Sequence, residues 1–195
     1  SALPQYTKNK LQTITMKFVE IEHKFVLNDK FCKEQFIKNI QNLNPLKETT
    51  CTTHDVYYKS KCNGGYVIRH RFDPYLQQLS AKSIENDSEQ RIEINIHLEH
   101  DKGSQAEAIR EFLKIVSVTE IGEIEKRIHV FYFPQCEVVY YEAYCGAKVI
   151  RCVEFEATKV ESLDEALAII SDYEDKLGFE AKNRTPESLY ALFFT

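Results

Sequence analysis

The sequence lacks several features that define common classes of protein. Its 30 acidic residues outnumber 25 basic ones, so the basic excess of a general nucleic-acid binder is absent. No apolar run approaches the roughly 20 residues of a membrane-spanning helix, and the opening stretch SALPQYTKNK has no signal-peptide core. We therefore expect a cytoplasmic globular protein without nucleic-acid or membrane partners.

Common motifs for metals, disulfides and nucleotides are also missing. None of the six cysteines lies in a C-x-x-C pair, which favours reduced and inert thiols in a chain of this length. No H-x-x-x-H pair indicates zinc, and Asn63-Gly64-Gly65 lacks the Lys-Ser/Thr of a P-loop, so we interpret it as a hairpin turn. Without repeats or linkers, residues 1–195 predict a single domain, with residues 1–13 as a flexible or appended lead.

Charged side chains occupy alternate positions along several predicted strands. In VEIEHKFVL, Glu20, Glu22 and Lys24 share one face, and the residues between them form an opposite, mostly apolar face. A single strand of this kind is typical of a solvated face beside a core. Here the charges recur on the polar faces of later strands, at Arg69, Arg71, Lys82, Arg91, Glu93, Lys126, Arg127, Glu154 and Glu156.

Four helices are predicted, each from a residue or motif that can cap a helix N-terminus. Two of these motifs are capping boxes, and Gly178 favours the end of the third helix. The helices are predicted from Asn28 or Asp29 to about Leu43, from Ser104 to about Val116, from Ser162 to about Leu177 and from Thr185-Pro186 onward. Strands outnumber helices and are joined by short turns, so the sheet should be mainly antiparallel.

The alternation and the helices together predict an α+β fold built on a barrel. If helices cover the apolar strand faces from outside, the charged faces must line a closed or nearly closed antiparallel barrel. Buried charges are costly unless they are paired or bound to a ligand, so this lumen predicts a charged ligand. Arginine and lysine suit phosphate oxygens, and carboxylates suit Mg²⁺ or Mn²⁺, so a metal-bound polyphosphate would satisfy both.

Seven short segments occur in one order along the chain: VEIEHK, IRHR, LSAK, RIEIN, EKR, CVEFE and TPESLYALF. Together they resemble the signature of the CYTH superfamily, also called the triphosphate tunnel metalloenzymes. The resemblance covers nearly the whole chain. It implies a tunnel of about eight antiparallel strands that binds a triphosphate through basic residues and a divalent metal, Mg²⁺ or Mn²⁺, through glutamates.

The resemblance implies a role for each matching position. The implied phosphate ligands are Lys24, Arg69, Arg71, Lys82, Arg91, Lys126 and Arg127. The implied metal ligands or water-orienting residues are Glu20, Glu22, Glu93, Glu154 and Glu156. Of these, the catalytic residues would be Glu20, Glu22, Lys24, Arg69, Arg71, Glu154 and Glu156. Adjacent Lys126 and Arg127 cannot both point inward on a regular strand, so one faces outward or a bulge redirects them.

Two positions depart from the family pattern. Asn95 ends the R-x-E-x-E pattern, where it is at best a neutral oxygen ligand. The acidic residue expected on the penultimate strand has no clear counterpart, and Glu142 is the candidate metal ligand there, with Tyr144 as its competitor in register. Loss of one carboxylate would weaken a second metal site.

The predicted function is metal-dependent hydrolysis of a small-molecule triphosphate. The substrate could be inorganic tripolyphosphate or an organic triphosphate such as a nucleotide or thiamine triphosphate. The same ligands would serve an adenylyl cyclase of the CYTH type, in which the ribose 3′ oxygen attacks the α-phosphorus and pyrophosphate leaves. A third alternative is a non-catalytic polyphosphate- or nucleotide-binding domain, and the sequence does not set the oligomeric state.

Overall fold

The computed structural model describes residues 18–62, 65–84 and 90–195. Its strands are β1 (Val19–Val26), β2 (Lys47–Ser60), β3 (Tyr66–Phe72), β4 (Gln77–Ser83), β5 (Gln90–Leu98), β6 (Val118–Tyr132), β7 (Cys136–Cys145) and β8 (Lys148–Ala157). They close into an antiparallel barrel in the order β1-β5-β4-β3-β2-β6-β7-β8. The predicted barrel is thereby confirmed. The proposed lead at 1–13 and the Asn63-Gly64 part of the predicted turn lie outside the described residues.

In the part of the chain that the structure describes, four helices and one 3₁₀ turn accompany the barrel. They are α1 (Lys33–Gln41), α2 (Ala106–Ile115), α3 (Leu163–Leu177), the 3₁₀ turn Ala181–Asn183 and α4 (Leu189–Phe194). The predicted caps of α3 are confirmed: Glu165 N donates to Ser162 Oγ at 3.2 Å, and Gly178 adopts a left-handed φ of 77°. No helix in the described ranges has the length and apolar character needed to cross a membrane.

Two helices begin later than the sequence predicts. α1 starts at Lys33 because Asn28, at the predicted cap, uses its side chain locally: Asn28 Oδ1 accepts from Lys30 N at 2.9 Å. α2 starts after Gln105, and the Ser104 capping box does not form. In both cases the residue predicted to cap the helix, Asn28 or Ser104, lies in the segment before the helix and does not cap it.

The closing helix also begins later than predicted. Thr185 N donates to Lys24 O at 2.7 Å, which holds this segment extended against β1. α4 therefore starts at Leu189, where Ser188 Oγ accepts from Ala191 N at 3.1 Å. The segment ahead of α4 thus contacts the strand that carries the first charged motif.

An apolar core lies between the outer face of the barrel and helices α1 and α3. Phe25 and Phe155 contribute from β1 and β8, Phe36 from α1 and Ile170 from α3, and all four are buried. His23 also points toward α3, where His23 Nδ1 lies 2.7 Å from Glu174 Oε1. This side of the barrel matches the prediction of helices over apolar strand faces.

The outer face of β5 does not follow that prediction. Ile94 and Ile96 are 41% and 56% exposed. The helix that follows β5 in the chain, α2, packs its Leu113 against Val56 and Tyr58 of β2 instead. The expectation that helices cover every apolar strand face is therefore wrong for β5.

α4 covers one end of the barrel. Tyr57 of β2 packs on Tyr190 and Phe194 of α4, with ring centroids 5.8 and 5.9 Å apart. Gly122 of β6 permits this close approach, because a Cβ there would lie 2.6 Å from Phe194 Cε1. The barrel thus has one end filled by aromatic side chains.

Candidate active site

The interior of the barrel is a cavity of about 970 Å³. Directly opposed residues in neighbouring strands point to the same side, so pairs such as Glu20 with Arg91 and Lys82 with Glu93 face the cavity together. The predicted site residues that line it are Glu20, Glu22, Lys24, Arg69, Arg71, Lys82, Arg91, Glu93, Lys126, Glu154 and Glu156. Charges from separate strands therefore share one enclosed space.

Lys82 joins two carboxylates inside this space. Its Nζ lies 3.1 Å from Glu20 Oε2 and also contacts Glu93, whose Oε1 accepts from Arg69 Nη2 at 3.1 Å. Burial would raise the pKa of Glu93, but Lys82 and Arg69 hold it well below its usual range. Burial raises the pKa of Glu20 to about 8 despite Lys82, and the nearby carboxylates add to the effect.

A second group of ion pairs joins β1 to its two neighbouring strands. Lys24 Nζ lies 3.3 Å from Glu22 Oε1 and 3.1 Å from Glu154 Oε1. Arg91 Nη1 reaches Glu22 Oε1 at 3.2 Å, and Arg91 Nη2 donates to Pro186 O at 2.6 Å. Burial opposes ionisation of Glu154, but Lys24 and then Lys126 lower its pKa to about 2.

Asp55 on β2 is a buried carboxylate of the site that was not predicted from the sequence. Asp55 is fully buried and accepts from Arg71 Nε and Nη2, both at 2.7 Å, while Lys126 Nζ lies 3.3 Å away. Burial would raise its pKa, but Arg71 and Lys126 depress it far below the usual value. In a hairpin that turns at Asn63, residues equally far from the turn lie opposite each other. Asp55 and Arg71 are equally far from Asn63 along the chain, so the predicted hairpin already indicated this pair.

Three carboxylates lie side by side on adjacent strands at another part of the wall. Glu156 on β8 is directly opposite Glu22 on one side and Glu137 of β7 on the other. Burial, followed by the charges of Glu20, Glu22 and Glu137, raises the pKa of Glu156 well above its ordinary value. Burial also raises the pKa of Glu137. Within the described ranges the Glu156 side chain has no hydrogen-bond or ion-pair partner.

Glu137 is the acidic residue that the penultimate strand contributes, and the prediction of Glu142 is wrong. Glu142 faces outward, where it accepts from Tyr140 OH at 2.7 Å and Tyr144 OH at 2.6 Å. Lys33 Nζ also lies 3.2 Å from Glu142 Oε1. Tyr140, Tyr141 and Tyr144 place aromatic rings on both faces of this strand. The sequence pattern therefore did not show which face was inward.

The predicted tunnel position of Arg127 is also wrong. β6 pairs in continuous register around this position, so Lys126 points into the barrel and is buried, and its neighbour Arg127 points out. Arg127 Nε donates to Glu125 Oε1 at 3.2 Å, and its guanidinium lies 4.8 Å from the ring centroid of Tyr144. Burial and then Arg71 lower the pKa of Lys126 to about 8, despite Asp55.

Asn95 lines the tunnel, but it already has partners. Its Oδ1 accepts from Ser80 Oγ at 2.7 Å and also contacts Gln78 Nε2. This oxygen, the predicted neutral ligand at best, is therefore engaged within the wall of β4 and β5.

The carboxylates fit a divalent cation by their chemistry, although cations of the protein engage most of them here. Among the described residues no group of three or more His, Cys, Asp or Glu side chains is gathered as a metal site. Even so, Glu22, Glu137 and Glu156 are neighbours across three strands, and burial, followed by the charges of nearby carboxylates, raises the pKa of Glu156. Hard oxygen donors of this kind suit Mg²⁺ or Mn²⁺.

Solved structures share this fold at low sequence identity. The PH1012 protein from Pyrococcus horikoshii OT3 matches with a TM-score of 0.72 and 20% identity, covering 90% of this chain and 99% of its own. A Bacillus halodurans protein assigned provisionally as an adenylate cyclase matches with a TM-score of 0.63 and 16% identity, covering 90% and 97%. No protein-family model and no curated protein matches the sequence.

A third match, from Hippeastrum, has a TM-score of 0.63 and 15% identity, covering 89% of this chain and 94% of its own. That protein, also assigned provisionally as an adenylyl cyclase, is described as having a dominant triphosphatase activity. These structures share the closed antiparallel barrel that the sequence predicts and that this chain forms. The chain thus forms a closed barrel whose interior is lined by charged side chains.

Proposed function

We propose that this protein hydrolyses a small-molecule triphosphate inside the barrel, with Mg²⁺ or Mn²⁺ as cofactor. The observation that carries the proposal is the convergence of cationic side chains from five strands on one cavity: Lys24, Arg69, Arg71, Lys82, Arg91 and Lys126. A chain of three phosphates carries enough oxygens and negative charge to engage such a set. We place this activity in the cytoplasm, without nucleic-acid or membrane partners.

The cations have a direct role in this reaction. Phosphoryl transfer depends on positioning and charge neutralisation more than on covalent chemistry. Arg69 and Arg71 would bind phosphate oxygens through the N–H groups that their carboxylate partners leave available, and Lys82 would exchange contacts with Glu20 and Glu93 for phosphate. The paired carboxylates keep these cations in place before the substrate enters.

The carboxylates divide between two roles. Glu20, Glu22 and Glu156, with Glu137 beside them, would hold the metal, which supplies charge neutralisation on the phosphate oxygens. Glu154 stays ionised, accepts from Tyr141 OH at 2.8 Å and can orient a water molecule through its other oxygen. The carboxylates that would hold the metal and the one that would orient water thus serve different steps.

Product analysis tests the proposal. The protein is incubated with tripolyphosphate, ATP or thiamine triphosphate and Mg²⁺ or Mn²⁺, and we expect release of inorganic phosphate from at least one of them. Cyclic AMP with pyrophosphate would replace the proposal with a cyclase, and chelator-insensitive binding without turnover would replace it with a binding domain. Absence of both binding and turnover with all three compounds would contradict a triphosphate site.

A matched pair of variants ties the activity to the lumen. Arg69→Ala removes a buried charge-assisted contact and should raise the barrier by about 2–4 kcal/mol, as for other catalytic donors. Arg127→Ala removes an arginine from the outer surface and should leave the rate unchanged. Equal rates for the two variants would contradict the assignment of the lumen as the active site.

A further inference from the structure

A buried tyrosine contacts the carboxylate to which we assign the orientation of water. Tyr141 points inward from β7 and is 1% exposed. It lies directly opposite Cys152 of β8, and Glu154 follows two residues later on the same face. A tyrosine ring is long enough to reach such a diagonal neighbour, and Tyr141 OH donates to Glu154 Oε1 at 2.8 Å. The position of Glu154 therefore depends on a residue of the neighbouring strand.

The contacts of Glu154 use one of its two oxygens. Lys24 Nζ lies 3.1 Å from Oε1, the same oxygen that accepts from Tyr141. Within the described ranges no hydrogen bond or ion pair engages Oε2. The side chain of Glu154 is 18% exposed, whereas that of Lys24 is 3% exposed. Glu154 thus keeps one oxygen and part of its surface accessible to a small molecule in the cavity.

The two donors to Oε1 differ once phosphates are present. Lys24 is charged, also lies 3.3 Å from Glu22, and is one of the cations that would bind phosphate. Its contact with Glu154 would weaken when it moves to a phosphate oxygen. The hydroxyl of Tyr141 is neutral, because a phenol ordinarily ionises at about pH 10. Since the tyrosine is also enclosed by the protein, it is the donor that can hold Glu154 throughout the reaction.

The ring of Tyr141 is itself held by its surroundings. It belongs to the buried apolar cluster that α4 joins, which includes Ile124 and Leu189. Lys126 Nζ lies 5.1 Å from the ring centroid and 3.3 Å from Asp55 Oδ2. One tyrosine thus contacts a cation of the phosphate site through its ring and a carboxylate through its hydroxyl. A packed ring supports that carboxylate more rigidly than a flexible lysine does.

We infer that Tyr141 is a positioning residue for hydrolysis: its hydroxyl holds Glu154 Oε1, and Oε2 then accepts a hydrogen bond from the attacking water. This inference rests on the proposed function, because it concerns a step of that reaction. In this step the water oxygen bonds to the terminal phosphorus, and the bridging P–O bond breaks with its electron pair on the bridging oxygen. One water proton passes to a phosphate oxygen, and the other stays on the new P–OH group. Tyr141 would affect the rate of this step and not the binding of the phosphates.

Tyr141→Phe and Tyr140→Phe test the inference by removing one hydroxyl each from adjacent residues of β7. Both hydroxyls donate to a carboxylate, but Tyr140 OH contacts Glu142 on the outer surface, at 2.7 Å. Initial rates are measured with whichever of tripolyphosphate, ATP and thiamine triphosphate the parent hydrolyses. We expect Tyr141→Phe to lower kcat about tenfold, the effect of losing a hydrogen bond to a charged group, and to leave KM unchanged. Tyr140→Phe should retain the kcat and KM of the parent.

The kinetic outcomes separate the inference from the proposed function. A parent-like kcat in Tyr141→Phe, or an equal loss in both variants, would overturn the inference and leave the proposed function intact. A raised KM with an unchanged kcat would also overturn it, because Tyr141 would then serve binding. Calorimetric titration with tripolyphosphate shows whether Tyr141→Phe is folded, and lost binding would assign the tyrosine to the fold or the phosphate site instead. Turnover of none of the three compounds by the parent would overturn the proposed function and the inference with it.

A double variant tests whether Tyr141 acts through Glu154. Glu154→Gln removes the charge that Tyr141 supports and should itself lower kcat, so a parent-like kcat in this variant would overturn the inference. Adding Tyr141→Phe to Glu154→Gln should change kcat by less than about twofold, because the two residues act as a unit. A further tenfold loss in the double variant would show that Tyr141 acts independently of Glu154 and would also overturn the inference.

Discussion

Asp55 and Arg71 form a bidentate ion pair inside the barrel, in which two guanidinium nitrogens each donate to one carboxylate oxygen at 2.7 Å. Lys126 adds a second cation to the same carboxylate. One buried acid thus holds two of the cations that would meet the phosphates. This arrangement places Arg71 and Lys126 before a ligand arrives, so binding does not require their side chains to become ordered.

Asp55→Asn should lower the free energy of unfolding by about 3 kcal/mol, because it leaves buried cations with one negative charge fewer. Tripolyphosphate should restore more stability to this variant than to the parent, since the anion replaces the lost charge. Thermal unfolding with and without tripolyphosphate measures both effects. Asp29→Asn, which removes an exposed partner of Arg151, is the control and should unfold like the parent.

Lys126→Met and Arg127→Met compare two adjacent cations on opposite faces of β6. Loss of buried Lys126 should weaken tripolyphosphate binding by about 1.5–3 kcal/mol, the range for a hydrogen bond to a charged group. Loss of Arg127 should have no effect, because its guanidinium packs on Tyr144 outside the barrel. Calorimetric titration of each variant gives the comparison, and weaker binding by Arg127→Met would contradict the orientation of β6.

Glu156→Gln should weaken Mn²⁺ binding by at least about tenfold, since it removes one of three neighbouring carboxylates on the tunnel wall. Electron paramagnetic resonance of free Mn²⁺ measures the affinity without any substrate. Glu142→Gln is the matched control on the outer surface and should bind Mn²⁺ like the parent. If Glu142→Gln weakens Mn²⁺ binding and Glu156→Gln does not, Glu142 is the metal ligand instead.

The stability of the metal-free protein should fall as the pH rises from about 4.5 to 8. Burial raises the pKa of Glu20 to about 8 from an ordinary value of 4.5, so in this interval the folded protein keeps a proton that the unfolded chain has lost. The unfolded state then binds fewer protons, and the free energy of unfolding decreases with pH. Chemical denaturation in the presence of a chelator measures the free energy of unfolding at each pH. This free energy should decrease less with pH for Glu20→Gln than for the parent, and an equal decrease would contradict the raised pKa of Glu20.

Gly122→Ala should destabilise the protein by about 1–3 kcal/mol, the usual effect of overpacking. The new Cβ would lie 2.6 Å from Cε1 and 2.9 Å from Cζ of Phe194, so the end of α4 must move. Adding Phe194→Ala removes the clash, and the double variant should be more stable than the sum of the two single changes predicts. If the change in unfolding free energy of the double variant equals the sum of the two single changes, the result would contradict the contact.

The inward charges of β1 could be predicted because alternation is a property of one strand and its backbone geometry. Glu20, Glu22 and Lys24 face the cavity as expected. Where the pattern was ambiguous, prediction was less successful. Two adjacent cations at Lys126 and Arg127 could not both face inward, and only the pairing of β6 with its neighbours resolved which one does.

Other features depend on contacts between distant segments. Asp55 became part of the site through its register with Arg71, and Glu137 through its register with Glu156. The uncovered outer face of β5 follows from α2 packing on β2 instead. Periodicity within one segment therefore predicts which side chains share a face, while closure of the barrel sets which face is enclosed and which charges meet, because those outcomes depend on pairing between strands far apart in the chain.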